Sequence, residues 1–201
     1  MVICYNKKCI FIHIPKTAGT SIEQFLKDKG RNDIMFHGVH NNRSLHHLTA
    51  IELKQNIPVM FKEYYKFSIV RNPYDRLLSE YYWTPVPNLG FKYGISKAEF
   101  LHKVINIVKN KRYFNNIYFD HFIPQYMFLY GGDKIIIDEV FKYEALKDAT
   151  EYLKNKLSIN MDFPYFNKNK STVNDNGWNE RQKEKIYNLY KNDFIKFGYE
   201  K

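Results

Sequence analysis

Cysteine is nearly absent from this sequence, and its shortage removes one class of protein at once. Only Cys4 and Cys9 occur in 201 residues, and no C-x-x-C pair or Cys/His metal spacing accompanies them. A disulfide framework is not indicated, and a reducing compartment is the simpler setting. Long apolar runs are missing too. No stretch reaches the roughly 18 consecutive apolar residues that a membrane-spanning helix needs. The opening, Met1 to Lys8, places its charges after a very short apolar stretch, the reverse of a secretory signal. The expectation is a cytoplasmic protein with no membrane span of its own. Acidic residues are also in deficit: 31 Lys and Arg face 21 Asp and Glu, for a formal net charge of +10. Such a balance suits a polyanionic or phosphorylated partner, and a solvated lysine-rich surface accounts for it equally well. No RNA- or DNA-binding motif is present, so nucleic acid is not an expected partner.

What is present is enough for a packed core. Hydrophobic residues make up 44% and aromatics 17%, which argues against disorder. With no internal repeat and no long linker, residues 1–201 read as one domain. Cys9 to Ile14 is an apolar run stopped by Pro15, the pattern of a strand buried on both faces. Ile22, Phe25 and Leu26 follow with helical spacing, and Gly30 closes that helix. A short strand is expected at Ile34 to Phe36 and a short helix at Thr49 to Gln55, with Thr49 as N-cap. Tyr65 to Val70 reads as a strand. Asn72 then caps a helix that opens on Pro73 and runs to about Trp83. Thr84 to Gly94 reads as a loop and a candidate substrate-facing insertion. Helices are expected at Ala98 to Val108, Ile123 to Tyr130 and Leu146 to Leu157. Gly131 to Asp133 is a turn, Ile135 to Tyr143 a strand, and Asn167 to Gly177 a polar loop. A last helix starts near Asn179, with Gln182 completing a capping box and Ile186, Leu189, Tyr190, Phe194 and Phe197 on one face. Alternating strands and helices predict an α/β fold with a central parallel sheet flanked by helices.

Two strand-to-helix junctions carry the chemistry. In the first, Lys16, Thr17, Ala18, Gly19, Thr20 and Ser21 join strand to helix. A helix N-terminus presents unpaired N–H groups and a positive dipole end. Gly19 permits close backbone approach, the hydroxyls add donors and Lys16 adds a mobile charge, so the loop reads as a phosphate cradle. It is not a Walker A loop, because Ile14 stands at the first glycine position and Thr20 at the lysine position. A nucleotide kinase on this scaffold is thereby disfavoured. In the second junction, Arg71 stands at the C-terminal end of a strand, the edge where open α/β sheets bind ligands. Arg71 is suited to clamp a phosphate in fork geometry, with Ser79 two helical turns on as a further donor. Arg76 reads as a structural residue paired with Asp75 or another carboxylate. Tyr81, Tyr82 and Trp83 offer aromatic faces to adenine or a sugar ring, with at least one of them in the core.

The segment Pro15 to Ser21 resembles the 5′-phosphosulfate loop of sulfotransferases that use 3′-phosphoadenosine 5′-phosphosulfate (PAPS). Arg71 to Ser79 resembles their 3′-phosphate motif, and the two motifs stand in order about 55 residues apart. The nearest likeness is to the carbohydrate-type, Golgi-related branch with its bacterial and viral relatives. Further similar segments are His46-His47-Leu48-Thr49-Ala50, Tyr143-Glu144-Ala145-Leu146, Pro164 to Lys168 and Phe197-Gly198-Tyr199. The resemblance implies a P-loop-like three-layer fold, PAPS as co-substrate and no metal. It implies that Lys16, Thr17, Ala18, Gly19, Thr20 and Ser21 hold the phosphosulfate, and that Arg71 and Ser79 hold the 3′-phosphate. The acceptor it implies is a hydroxyl, with a saccharide as the best expectation.

Sulfuryl transfer needs in-line oxygens and fixed donors for developing charge. Lys16 is the residue placed to meet the leaving oxygen. The acceptor's proton needs a base, which histidine suits near neutral pH. Four of the seven histidines lie between residues 37 and 47. His47, in the His-x-Thr-Ala pattern, is the leading candidate; His37 and His40 are the alternatives, and Glu52 is a weaker one. His13 reads as packing or support. A zinc cluster of His37, His40, His46 and His47 lacks a cysteine or acidic ligand at matching spacing. Lys168 and Lys170 are candidates to cover the nucleotide or meet an anionic acceptor. A non-catalytic polyanion-binding domain is the alternative from another class.

Overall fold

The computed structural model describes residues 2–27, 34–35, 38–40, 43–83, 94–114, 119–164 and 177–201. Its centre is a sheet built from β1 (Val2–Cys4), β2 (Cys9–Ile12), β3 (Ile34–Met35), β6 (Tyr65–Val70) and β9 (Glu139–Lys142). Two short hairpins lie outside it, β4 (Val39–His40) with β5 (Arg43–Ser44) and β7 (Tyr130–Gly131) with β8 (Lys134–Ile135). The helices are α1 (Gly19–Leu26), α2 (Ala50–Asn56), α3 (Pro58–Glu63), α4 (Pro73–Trp83), α5 (Lys97–Lys109), α6 (Gln125–Leu129), α7 (Leu146–Leu157), α8 (Glu180–Leu189) and α9 (Lys191–Phe197). The sheet order is β3-β1-β2-β6-β9. β2, β6 and β9 run parallel, with Ile12 opposite Ser68 and Val70 opposite Lys142.

Strand periodicity divides the core in two. Ile10 and Ile12 face a cluster shared with α2, α4, α5, α6, α8 and α9, including Leu77, Phe100, Phe122 and Phe194. Cys9 and Phe11 face a second cluster with Phe67, Ile69, α1 and α7, including Phe25 and Leu153. Helices therefore cover both sheet faces, the three-layer α/β arrangement. Two polar residues of β6 lie buried in this setting and are satisfied there. Lys66 Nζ reaches Asp138 Oδ2 at 2.8 Å and the Tyr64 carbonyl at 2.6 Å, and the Ser68 hydroxyl donates to the Ile12 carbonyl at 2.7 Å.

Local signals are realised at several positions. Thr49 and Glu52 form a capping box on α2, as Asn179 and Gln182 do on α8. Asn72 accepts the Tyr74 N–H at 2.9 Å ahead of Pro73. The expected helix at Ile123 opens two residues later, at Gln125. Gly30, Phe36, most of the 84–94 loop and the segment 165–176 lie outside the described residues.

The expected central parallel sheet is formed by β2, β6 and β9, and the Tyr5–Lys8 turn adds β1 antiparallel to β2, with β3 antiparallel to β1. Two expectations are corrected. The strand expected over 135–143 is two strands, β8 and β9. Between them the Asp138 N–H donates to the Lys66 carbonyl at 2.9 Å while its carboxylate accepts the Lys66 N–H at 2.7 Å, and Ile137 is buried in the core. The last helix is two helices hinged at Tyr190, whose buried ring anchors through its hydroxyl to the Phe122 carbonyl at 3.1 Å.

The second of these helices reaches back to the sheet edge. Asp193, fully buried, accepts the N–H groups of Gln125 at 2.8 Å and Tyr126 at 2.9 Å. Burial pushes its carboxyl up to about 6, against the pull of Arg76 and these N–H groups. Gln125 in turn clasps the main chain of Arg71, accepting its N–H at 2.9 Å and donating to its carbonyl at 2.8 Å. Asp193→Ala leaves one buried and one part-buried amide without an acceptor and is expected to cost about 2–4 kcal/mol of stability, measured by denaturant unfolding. An unfolding midpoint equal to wild type would show that α6 does not depend on this anchor.

Candidate active site

Because β2 and β6 are parallel neighbours, the loops after them leave the same sheet edge side by side. In the first loop Lys16 and Ala18 both hold positive φ, 69° and 67°. Neither is glycine, so each carries a strain of about 1 kcal/mol or more, a cost typical of functional loops. Ala18 is the N-cap of α1 and offers no side-chain hydrogen bond. The Ser21 and Ile22 N–H groups turn back onto the Ala18 carbonyl at 3.0 and 3.1 Å. Ahead of them, the Gly19 and Thr20 N–H groups have no acceptor among the described residues. The helix therefore opens on bare donors. Thr17 differs from the expectation of a free donor, since its buried hydroxyl donates to the Ile14 carbonyl at 2.8 Å and braces the loop. Thr20 is exposed and Ser21 buried. Gly19 is required for space: a Cβ there would stand 1.8 Å from His13 Nε2.

The second loop meets the first. Arg71 Nη1 donates to the Lys16 carbonyl at 3.3 Å, and the guanidinium lies 4.3 Å over the Tyr143 ring. Its Nε is buried with no hydrogen-bond partner among the described residues, an atom suited to an incoming oxyanion. Glu144 accepts the Asn72 N–H at 2.8 Å and the Tyr199 hydroxyl at 3.0 Å, tying the loop to both neighbouring segments. Ser79 lies buried on α4. Arg76 is structural, as expected, though its partners are carbonyls. It donates to those of His121 at 3.3 Å and Ile123 at 2.9 Å. Tyr81 packs in the core against Phe100, with its hydroxyl on the Ile95 carbonyl at 2.9 Å.

Lys16 extends its ammonium over Trp83, 4.7 Å from the ring centroid. Burial lowers it to about 8; Glu80 opposes that shift and Arg71 adds to it. Trp83 stacks in turn on His121, at 4.8 Å and 15°. His121 belongs to a run of touching imidazoles. His47 meets His121 at 4.9 Å and His13 at 5.1 Å, and His46 stacks on His47 at 5.3 Å. Each ring is held by a buried carboxylate. Asp120 Oδ2 lies 3.0 Å from His47 Nδ1 and Glu80 Oε2 lies 2.9 Å from His121 Nδ1. Glu23 Oε1 lies 2.8 Å from His13 Nδ1 and also meets His46 Nε2.

Burial, reinforced by the neighbouring His121 and His46, pushes His47 well below the usual histidine range. Burial does the same to His13, although Glu23 pulls the other way. For His121 burial is outweighed by Glu80 and Asp120, and its value is raised. Burial alone would raise Glu23, but its hydrogen bonds from His13 and His46 hold it well below the usual carboxylate range. One pocket thus contains a neutral His47 beside a more basic His121, an assignment of unequal proton affinities that suits acid–base work.

Lys16, Thr17, Ala18, Gly19, Thr20 and Ser21 share one loop and its helix, Arg71 touches that loop, and His47 joins through His13 and His121. His37 lies outside the described residues, as do Lys168, Lys170 and the side chain of His40. Glu52 is taken up by the cap of α2. Sequence reasoning passed over Glu23, Glu80, Asp120 and His121. The only local hint was that Glu80 follows Ser79 and that Asp120 and His121 are adjacent.

The profile of the Sulfotransferase family matches residues 1–200. No curated protein and no solved structure matches the chain. The match spans both strand-to-helix loops, the sheet between them and the helices on both faces, and by it this chain belongs to the sulfotransferase family, with that family's P-loop-like α/β fold.

Proposed function

We propose that this protein transfers a sulfuryl group from PAPS to an acceptor hydroxyl, with a saccharide as the favoured acceptor, and releases adenosine 3′,5′-bisphosphate. The observation that carries this reading is the contact of Arg71 Nη1 with the Lys16 carbonyl. It sets the two loops side by side, which supports their reading as the two oxyanion sites for a nucleotide phosphorylated at both 3′ and 5′ positions. The bare N–H groups of α1 and the lone Nε of Arg71 fit the oxyanions of such a ligand. In this reading Lys16 and residues 17–21 take the 5′-phosphosulfate, and Arg71 with Ser79 takes the 3′-phosphate. PAPS when bound supplies the activated sulfuryl group.

The protein's own residues do the rest. Lys16 donates a proton or a full charge to the oxygen that leaves with the 5′-phosphate, where charge grows in the transition state. His47 takes the acceptor's hydroxyl proton. Its Nδ1 faces a carboxylate and so carries the N–H, which leaves Nε2 as the basic nitrogen. Asp120 holds that tautomer and stabilises the imidazolium once formed, as the acid of a catalytic triad does. The acceptor oxygen then bonds to sulfur as the bond from sulfur to the bridging oxygen breaks. A cytoplasmic site suits Cys4 and Cys9, which are buried as thiols and form no disulfide. No helix among the described residues is long and apolar enough to cross a membrane.

Lys16→Ala and Arg71→Ala are each expected to cut transfer from labelled PAPS by about a hundredfold or more while circular dichroism stays native. Full activity in both would refute the assignment. His47→Ala should lower turnover by roughly 10²–10⁴ with donor affinity nearly unchanged, and an unaltered rate would move the base elsewhere. Because Lys16 is held at about 8, it loses its charge as pH rises through that value. Calorimetric affinity for an anionic donor analogue is therefore expected to fall between pH 7 and 9, and Lys16→Arg to flatten the profile. A profile unchanged by that variant would assign the titration to another group.

A further inference from the structure

The imidazole cluster holds more nitrogen ligands than one general base needs. We propose that His13, His46 and His47 form a site for a divalent transition-metal ion of the zinc class, and that the ion switches transfer off by occupying His47. The switching part rests on the reading of His47 as the base; the site itself does not.

One ring nitrogen from each of the three lies within 4.8 Å of those of the other two. Zinc–nitrogen bonds of about 2.0–2.1 Å set ligand nitrogens about 3.3 Å apart in a tetrahedron, so side-chain adjustments of about an ångström close the site. Three imidazoles without thiolate select zinc, cobalt, nickel or copper over magnesium and calcium. Support from behind is already in place. Glu23 holds both His13 and His46, and Asp120 holds His47. Carboxylates behind histidines orient metal ligands and raise their basicity, and here they also bring negative charge beside an entering dication.

The ligands stand on firm elements. His13 follows β2 and is backed by the helix start at Gly19. His46 and His47 share a single helical turn, Leu45–His47, whose N-cap Ser44 accepts the His46 N–H at 3.2 Å. Entry is through His46, whose side chain is 26% exposed against 8% for His13 and 10% for His47. A second group, His47 with Asp120 and His121, shares His47 but includes the fully buried Asp120. The three-histidine group is thus the accessible one.

Untagged protein, without donor or acceptor, is titrated with Zn²⁺ by calorimetry and with Co²⁺ by visible d–d absorption. The expected result is one ion per chain with the bands of a four- or five-coordinate site. His46→Ala and His13→Ala should each weaken binding by at least about tenfold, with circular dichroism confirming the fold. Absence of binding, or equal binding in both variants, overturns the site. In the transfer assay Zn²⁺ should inhibit wild type reversibly on chelation, and His46→Ala, whatever its own turnover, should need at least about tenfold more zinc for the same fractional inhibition. Saturating zinc with undiminished wild-type turnover overturns the switch. A protein that binds the ion at these residues but shows no sulfuryl transfer under any condition sinks the functional reading and leaves the site standing.

Discussion

The register between β2 and β6 is the constraint on which everything else rests. With Ile12 opposite Ser68 and neighbouring strands about 4.8 Å apart, both strands hand over to their loops at the same level. The guanidinium of Arg71 then needs to cross only one strand spacing to reach the carbonyl of Lys16. A slip of one residue would turn every side chain of β6 to the opposite face, sending Lys66 and Ser68 into the cluster that Phe67 and Ile69 now fill. Ser68 works against that slip because its hydrogen bond to the Ile12 carbonyl exists in one register only, while Lys66 ties β6 to Asp138 on its other side.

Around that edge the molecule solves a charge problem. Lys16 and Arg71 gather positive charge where the sheet ends, and three carboxylates, Glu23, Glu80 and Asp120, are withdrawn from water beside it. Isolated buried charges of this kind are costly. Each of the three is instead set against an imidazole, so each has a ring facing it. The arrangement separates the histidines by role. His121, facing Glu80, favours its proton, and His47, buried and set beside His121 and His46, gives its proton up.

What was legible beforehand was local. Tyr65 to Val70, the Asn72-Pro73 start of α4, the span of α7 and the capping boxes at Thr49 and Asn179 all arise from signals within a few residues. The two strand-to-helix loops after β2 and β6 could also be read, because a strand that ends in a polar turn before a helix is visible in sequence order. What escaped was set by packing across long separations. Asp120 meets a ring 73 residues away and Glu80 one 41 residues away, and no periodicity records such pairings. The split of the last helix escaped for the same reason. Tyr190 continues the apolar face, and only its attachment to Phe122 shows why the helix must bend there.

The chain Asp193–Gln125–Arg71 has a consequence for how the protein comes into being. The backbone that aims the guanidinium is steadied by a residue made more than a hundred positions later. During synthesis the sheet and the lysine loop have all their parts long before α9 emerges, yet the arginine side of the cleft lacks its brace until then. A nascent chain therefore presents a finished lysine loop beside an unbraced Arg71 until the final helix docks.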